Sequence, residues 1–234
     1  MSRTPMAHND AVTLGDTPAM AIRQNRRSFM SVLTSLAGIA ALEPAGSATA
    51  GQAAGAAKWD LAWIDDLKGK HMQVFDMADA DPTSQPPPLR LPRNYMDAFR
   101  DVMKLEFPEV RTLVGITGGK AFTLNASDRL WEKYGLGERF KITDPATKAP
   151  AVRNIFMDEP SLGVKALQAR GTIFWQCAIA LGGMAGQLAN AQKLPVDEVR
   201  ADLIAGLAPG VKLVPSHVMA MGLVQERGVT YVKV

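Results

Sequence analysis

From residue 71 to residue 234, short apolar runs alternate with segments whose apolar residues recur at helical spacing, and this alternation limits the possible folds more than any single motif. The runs at 71–77, 110–116, 172–176, 211–214 and 229–234 have strand length and are rich in β-branched and aromatic residues. Between them lie helical patterns. One opens at Pro92, continues through Tyr95, Phe99, Val102, Met103 and Phe107, and stops at Pro108. Others cover 127–134, with Ser127 as the expected N-cap, 162–170, with Gly171 as the expected C-cap, 178–191, 195–207 and 216–227. Strand and helix in alternation predict an α/β fold: a single doubly wound, mostly parallel five-stranded sheet with helices on both faces. The run at 110–116 is apolar on adjacent as well as alternate positions, as expected of a strand covered on both sides.

The N-terminal fifty residues carry a different pattern. Asn25-Arg-Arg-Ser-Phe-Met30 resembles a twin-arginine export signal; an apolar run at 30–42 follows, then Ala48-Thr49-Ala50. Basic head, apolar middle and A-x-A end are the three zones of a cleaved signal peptide. The apolar run is too short to span a bilayer of roughly 30 Å, so no stable membrane anchor is expected. The reading is a disordered N-terminus and Tat-type signal over 1–50, cleaved near Ala50, with a bacterial periplasmic destination. A Gly/Ala-rich linker and short helix follow over 51–69, then the α/β domain over 70–234. In the short helix Trp59, Trp63 and Leu67 are spaced to pack on the body.

Removing the four arginines and three acidic residues of the first fifty leaves a formal charge of +2 on 184 residues, enough chain for one domain with a core. No Lys/Arg stripe indicates nucleic acid or an anionic membrane surface as partner. His71 and His217 are the only histidines after residue 50 and no ligand spacing recurs, so no metal is expected. Neither G-x-S-x-G, a Walker loop, nor a strand-linked G-x-G-x-x-G is present, and no organic cofactor is expected. The 78–88 segment is acidic and proline-rich and reads as an extended loop. The stretch 135–160 loses periodicity and reads as a structured excursion with a small hairpin.

Chemistry concentrates on Cys177, the single cysteine. It follows the run Thr172-Ile-Phe-Trp-Gln176 and precedes a small-residue helix, so it sits where open α/β sheets place their sites, and helix N–H groups there favour a thiolate. One cysteine cannot form an internal disulfide. It pairs between chains, reacts, or is buried as a small hydrophobe. The helix after it contains Gly182, Gly183 and Gly186, each costing about 1 kcal/mol relative to alanine, which close packing must offset.

The order Leu167-x-x-x-Gly171, apolar strand, Cys177, Pro209-Gly210-Val211, Val214-Pro215-Ser216 and Leu223-x-x-x-x-Gly228-x-x-Tyr231 resembles the DsrE/DsrF-like (YchN-like) superfamily, over roughly 70–77 and 108–234. The stretches 125–131, 140–145 and Arg153-Asn154 look like an exported branch of it. The resemblance implies a flavodoxin-related topology, a homo-oligomer (trimer or hexamer), and a cysteine that carries sulfur as a persulfide. On that resemblance Cys177 is the catalytic candidate. Gly118, Gly119 and Ser216 fall near it, with Lys120 next in the same loop and His217 as a further supporting candidate. Two features depart from the carriers: Ala178, Ile179 and Ala180 after the cysteine are inert, and the characterised carriers are cytoplasmic. A histidine at 217 within reach would lower the thiol pKa; the other reading is that it caps its helix or contacts a neighbouring chain.

Two functions are therefore expected. One is a periplasmic sulfur carrier or persulfide transferase using Cys177, with a thiol-bearing acceptor protein as partner. The other is a non-enzymatic oligomeric binding module whose cysteine is buried and silent. A redox role would need a second chain's thiol, since no C-x-x-C pair occurs.

Overall fold

The computed structural model describes residues 59–78 and 80–234; the expected signal segment and the lead up to residue 57 lie outside them. The sheet has five strands, β1 (His71–Asp76), β2 (Val110–Ile116), β3 (Ile173–Cys177), β4 (Lys212–Val214) and β5 (Thr230–Lys233), in the order β4-β3-β2-β1-β5. Every neighbouring pair is parallel. The central strand β2 is buried over almost its whole length, which accounts for its unbroken apolar sequence. Edge strand β5 is mostly exposed and carries Lys233, a charge that discourages pairing with another sheet.

The helices are α1 (Ala62–Asp65), α2 (Arg90–Ala98), α3 (Asp128–Tyr134), α4 (Leu136–Arg139), α5 (Val164–Ala169), α6 (Ala178–Gln192), α7 (Val196–Ala205) and α8 (His217–Glu226). From β1 to β4 the chain steps across the sheet in one direction, and right-handed crossovers put those connections on one face. There Phe75, Val114, Ile116 and Phe174 pack with Met96 of α2 and Val164 and Leu167 of α5. A second cluster on that side joins α3, α6 and α7 through Leu130, Trp131, Leu181, Leu188 and Leu203. The last connection runs back from β4 to β5 and covers the opposite face. On it Val74, Leu113, Trp175 and Val214 meet Ala220, Met221 and Val224 of α8, Trp63 and Ile64 of α1, and Leu67 just after it. Trp63 lies 6.0 Å from Trp175 between ring centroids, whereas Trp59 is exposed.

Local details depart from the spacing-based expectation in two places and agree with it in a third. The helix expected from Pro92 begins at Arg90, widens into a π turn over Phe99–Met103 and ends at Lys104 in the left-handed region, φ 59°. Ser127 occupies the N-cap position of α3, but its hydroxyl is buried without a partner and caps nothing. Gly171 does end the helix before β3, at φ +92°; a Cβ there would lie 2.3 Å from the Phe107 ring, so only glycine fits.

The 135–160 excursion holds α4, a short antiparallel bridge between Thr143 and Pro150, and an anchor at Asn154. The Asn154 amide donates to the carbonyls of Leu124 (3.2 Å) and Ala126 (2.8 Å), and its oxygen accepts from the N–H of Phe156 (3.0 Å). This ties the excursion to the segment after β2. Facing it, the proline-rich loop is held by Lys120, whose ammonium reaches Asp81 (2.9 Å) and the Thr83 hydroxyl (2.6 Å). Between the two runs a cleft of about 380 Å³ lined chiefly by Pro82, Pro88, Leu89, Leu124, Phe156 and Leu162.

Candidate functional site around Cys177

Cys177 is the last residue of β3, in register with Val214, the last of β4. The chain leaves β3 into α6 on one face and leaves β4 into α8 on the other. Adjacent strands whose following helices diverge to opposite faces define the switch point of an open sheet, the crevice where such folds bind ligands. The cysteine stands at that crevice as the N-cap residue of α6, with extended φ/ψ of −76° and 121°.

Its sulfur does not cap α6. The backbone N–H of His217, the first residue of α8, donates to Sγ at 3.3 Å. A helix's first N–H groups have no intrahelical acceptor, so this one is free to be aimed at the sulfur. The Cys177 residue is 5% exposed. Beside it, exposure rises sharply: Ile179 in the first turn of α6 is 71% exposed and Val218 in the first turn of α8 is 79%.

The imidazole of His217 is occupied elsewhere. The indole N–H of Trp175 donates to its Nδ1 at 3.1 Å, and Nε2 lies 3.0 Å from Asp76 Oδ1. Thus the backbone N–H of His217, and not its imidazole, hydrogen-bonds the sulfur. Asp76 Oδ1 also accepts from the N–H of Ala78 (3.1 Å), and Oδ2 accepts from the Tyr231 hydroxyl (2.9 Å). That bond, followed by burial, pushes the Tyr231 phenol up from its ordinary range.

The remaining candidates take separate places. Ser216 is the N-cap of α8, its hydroxyl accepting from the N–H of Met219 at 3.5 Å. Gly118 lies against α6: a Cβ on it would be 3.5 Å from that of Ala180. Gly119 supplies a turn at φ +58°. Lys120 is committed to the proline-rich loop at Asp81; burial would raise that carboxyl, but the bonds from Thr83 and then Lys120 outweigh it and lower it. The structure therefore brings together Cys177, Ser216 and His217, sets Gly118 beside the first turn of α6, and engages Lys120 in a loop latch.

Sequence reasoning missed Asp76, Gly115, Trp175 and Tyr231. Two carried a readable signal: a carboxylate closing an apolar strand, and a glycine inside one. Trp175 read only as part of the apolar run before Cys177, and Tyr231 only as a position of the family pattern. No three His, Cys, Asp or Glu side chains among the described residues are grouped to hold a metal ion.

No family model matches the chain, and no curated protein is similar to it. Among solved structures, it is similar to a protein of unknown function, MTH1491 from Methanobacterium thermoautotrophicum, at 17% identity and a TM-score of 0.37, over 70% of this chain and 99% of that one. The class that the coordinates define is thus an all-parallel five-stranded α/β protein with a single cysteine at its switch point.

Proposed function

We propose that the chain is an exported DsrE/DsrF-like protein that carries sulfur on Cys177 in the periplasm. The observation that carries this reading is the sulfur's position at the switch-point crevice, hydrogen-bonded by the first N–H of α8. In the reaction, the Cys177 thiol gives its proton to solvent and the thiolate attacks the outer sulfur of a polysulfide or thiosulfate. The donor's S–S bond breaks, its remainder leaves with the bonding pair, and a persulfide forms on Cys177. An acceptor thiolate then attacks the outer sulfur and Cys177 departs as thiolate. The slight exposure of the residue favours a small inorganic donor for the first step.

Assembly as a trimer or hexamer belongs to the same proposal. Ile179 and Val218 present apolar side chains to solvent next to the site. A Cβ on Gly182, Gly183 or Gly186 would meet nothing within 4 Å, so the packing expected to offset those glycines is not supplied within the described residues. A second copy would supply it.

The low exposure of Cys177 also favours a second reading, an oligomeric binding module in which the cysteine is a silent core residue. Alkylation of the native protein separates the two. Rapid modification between pH 5 and 9, and gain of a sulfur atom in intact mass after thiosulfate or polysulfide, supports the carrier. Protection of the thiol until the protein unfolds supports the silent module.

A further inference from the structure

We infer that Asp76 and Trp175 are positioning residues that act through His217 to keep the first N–H of α8 on the sulfur of Cys177; this rests on the reading of Cys177 as the sulfur-bearing residue. The geometry decides the tautomer. An indole N–H can only donate, so Nδ1 of His217 is the acceptor of Trp175, and the ring proton sits on Nε2 and is donated to Asp76. The ring is thereby held at both ends, by β3 through Trp175 and by β1 through Asp76. These strands are separated by β2, which contributes Gly115 in register with both residues.

Gly115 makes the crossing sterically feasible. A Cβ at this position would lie 2.5 Å from Trp175 Cζ2 and 2.7 Å from His217 Cε1. The indole and imidazole occupy the space that any other residue's side chain would fill. Asp76 is further fixed by the N–H of Ala78 and the hydroxyl of Tyr231, and among the described residues it pairs with no Lys or Arg. Its carboxylate is thus held by hydrogen-bond donors, with the histidine as the link to α8.

A side chain fixed at both ring nitrogens fixes its own Cα, and the N–H on that same residue is the one that meets the sulfur. Space-filling alone would need neither an acceptor for Nε2 nor a donor for Nδ1. The three residues form a continuous chain from the β1 side of the crevice to Cys177, and it passes through the residue whose backbone N–H donates to the sulfur.

The test uses the purified, ¹⁵N-labelled protein with Trp175→Phe, Asp76→Ala and Asp76→Asn. Wild type is expected to show His217 as the Nε2–H tautomer in its ring-nitrogen spectrum. Trp175→Phe and Asp76→Ala are expected to lose that signature, to speed exchange of the His217 amide about tenfold, and to slow iodoacetamide modification of Cys177 at pH 7 by about tenfold, the size of one lost hydrogen bond. Asp76→Asn keeps an acceptor for Nε2–H and is expected to retain wild-type behaviour in the amide. Should Asp76→Ala not fold, Trp175→Phe, which keeps an aromatic ring in place, decides alone. The inference is overturned if His217 amide exchange stays within about twofold of wild type in the folded variants, or if a reactive Cys177 is modified at the same rate or faster. A wild-type thiol inert to iodoacetamide and polysulfide removes the carrier reading, and the His217 amide and tautomer still decide the positioning claim.

Discussion

Gly115 and Trp175 face each other across β2 and β3, and the indole lies where a Gly115 side chain would be, 2.5 Å from an ideal Cβ. The alanine variant therefore has to displace a fully buried tryptophan or the imidazole behind it. Overpacking of this kind costs about 1 to 3 kcal/mol. Urea denaturation of Gly115→Ala is expected to show a lower midpoint at unchanged slope; an unchanged midpoint would refute the packing argument.

Asp202 of α7 gathers three donors from α3. Its carboxylate contacts Arg129, Lys133 (2.9 Å) and the Tyr134 hydroxyl (2.7 Å). Burial alone would raise the carboxyl, but the bonds from Lys133, Tyr134 and Arg129 outweigh it and hold it at about 2. Burial, then the bond to Asp202, raises the Tyr134 phenol above its ordinary range. Since the folded value lies below the unfolded one of about 3.9, this carboxylate stabilises the fold above pH 4 and the contribution is lost as pH falls toward 2. Asp202→Asn is expected to cost on the order of 1 kcal/mol near neutrality, allowing for solvent screening, and almost nothing near pH 2. Acid-unfolding curves of the two proteins that stay parallel down to pH 2 would count against it.

Asn154 holds the 135–160 excursion to the body through two buried carbonyls. Asn154→Ala leaves both without their donor, at a cost of about 2 to 4 kcal/mol. Limited proteolysis is expected to cut the variant first within residues 142–160. Cleavage elsewhere first, with stability unchanged, would show that the excursion is held by other contacts.

The exposed glycine face of α6 makes assembly testable. Sedimentation equilibrium is expected to give a trimer or hexamer for wild type and a smaller species for Gly183→Arg or Ile179→Arg. A monomeric wild type would remove the oligomer from the proposal.

For the export signal, Arg26→Lys with Arg27→Lys is expected to leave the precursor in the cytoplasm. Fractionation that still finds mature protein in the periplasm would exclude the Tat route.

The alternation that predicted the sheet is a local property. Whether a segment such as 110–116 can be a covered strand depends on its own residues, and β2 indeed spans Val110–Ile116. Cys177 at a strand end is local in the same way, as a run of β-branched and aromatic residues gives way to small ones. The role of His217 was less legible. In the sequence a ring near the sulfur is one of two readings, the other a helix cap or a contact with a neighbouring chain; the ring is drawn to Trp175 and Asp76, and the backbone N–H meets Sγ. Those partners lie 42 and 141 positions away along the chain, beyond what any periodicity encodes.

Sequence by itself determined the parallel α/β class and the strand that runs into Cys177, because hydrophobic period and turn chemistry are short-range properties of the chain. Only the tertiary structure decided which strands are neighbours, that β3 and β4 form the switch point, and that Gly115 leaves room for an indole and an imidazole to link Asp76 to α8. Such contacts depend on strand order and crossover direction, which bring together residues far apart in the chain, and their side chains become partners only after the sheet has closed around them.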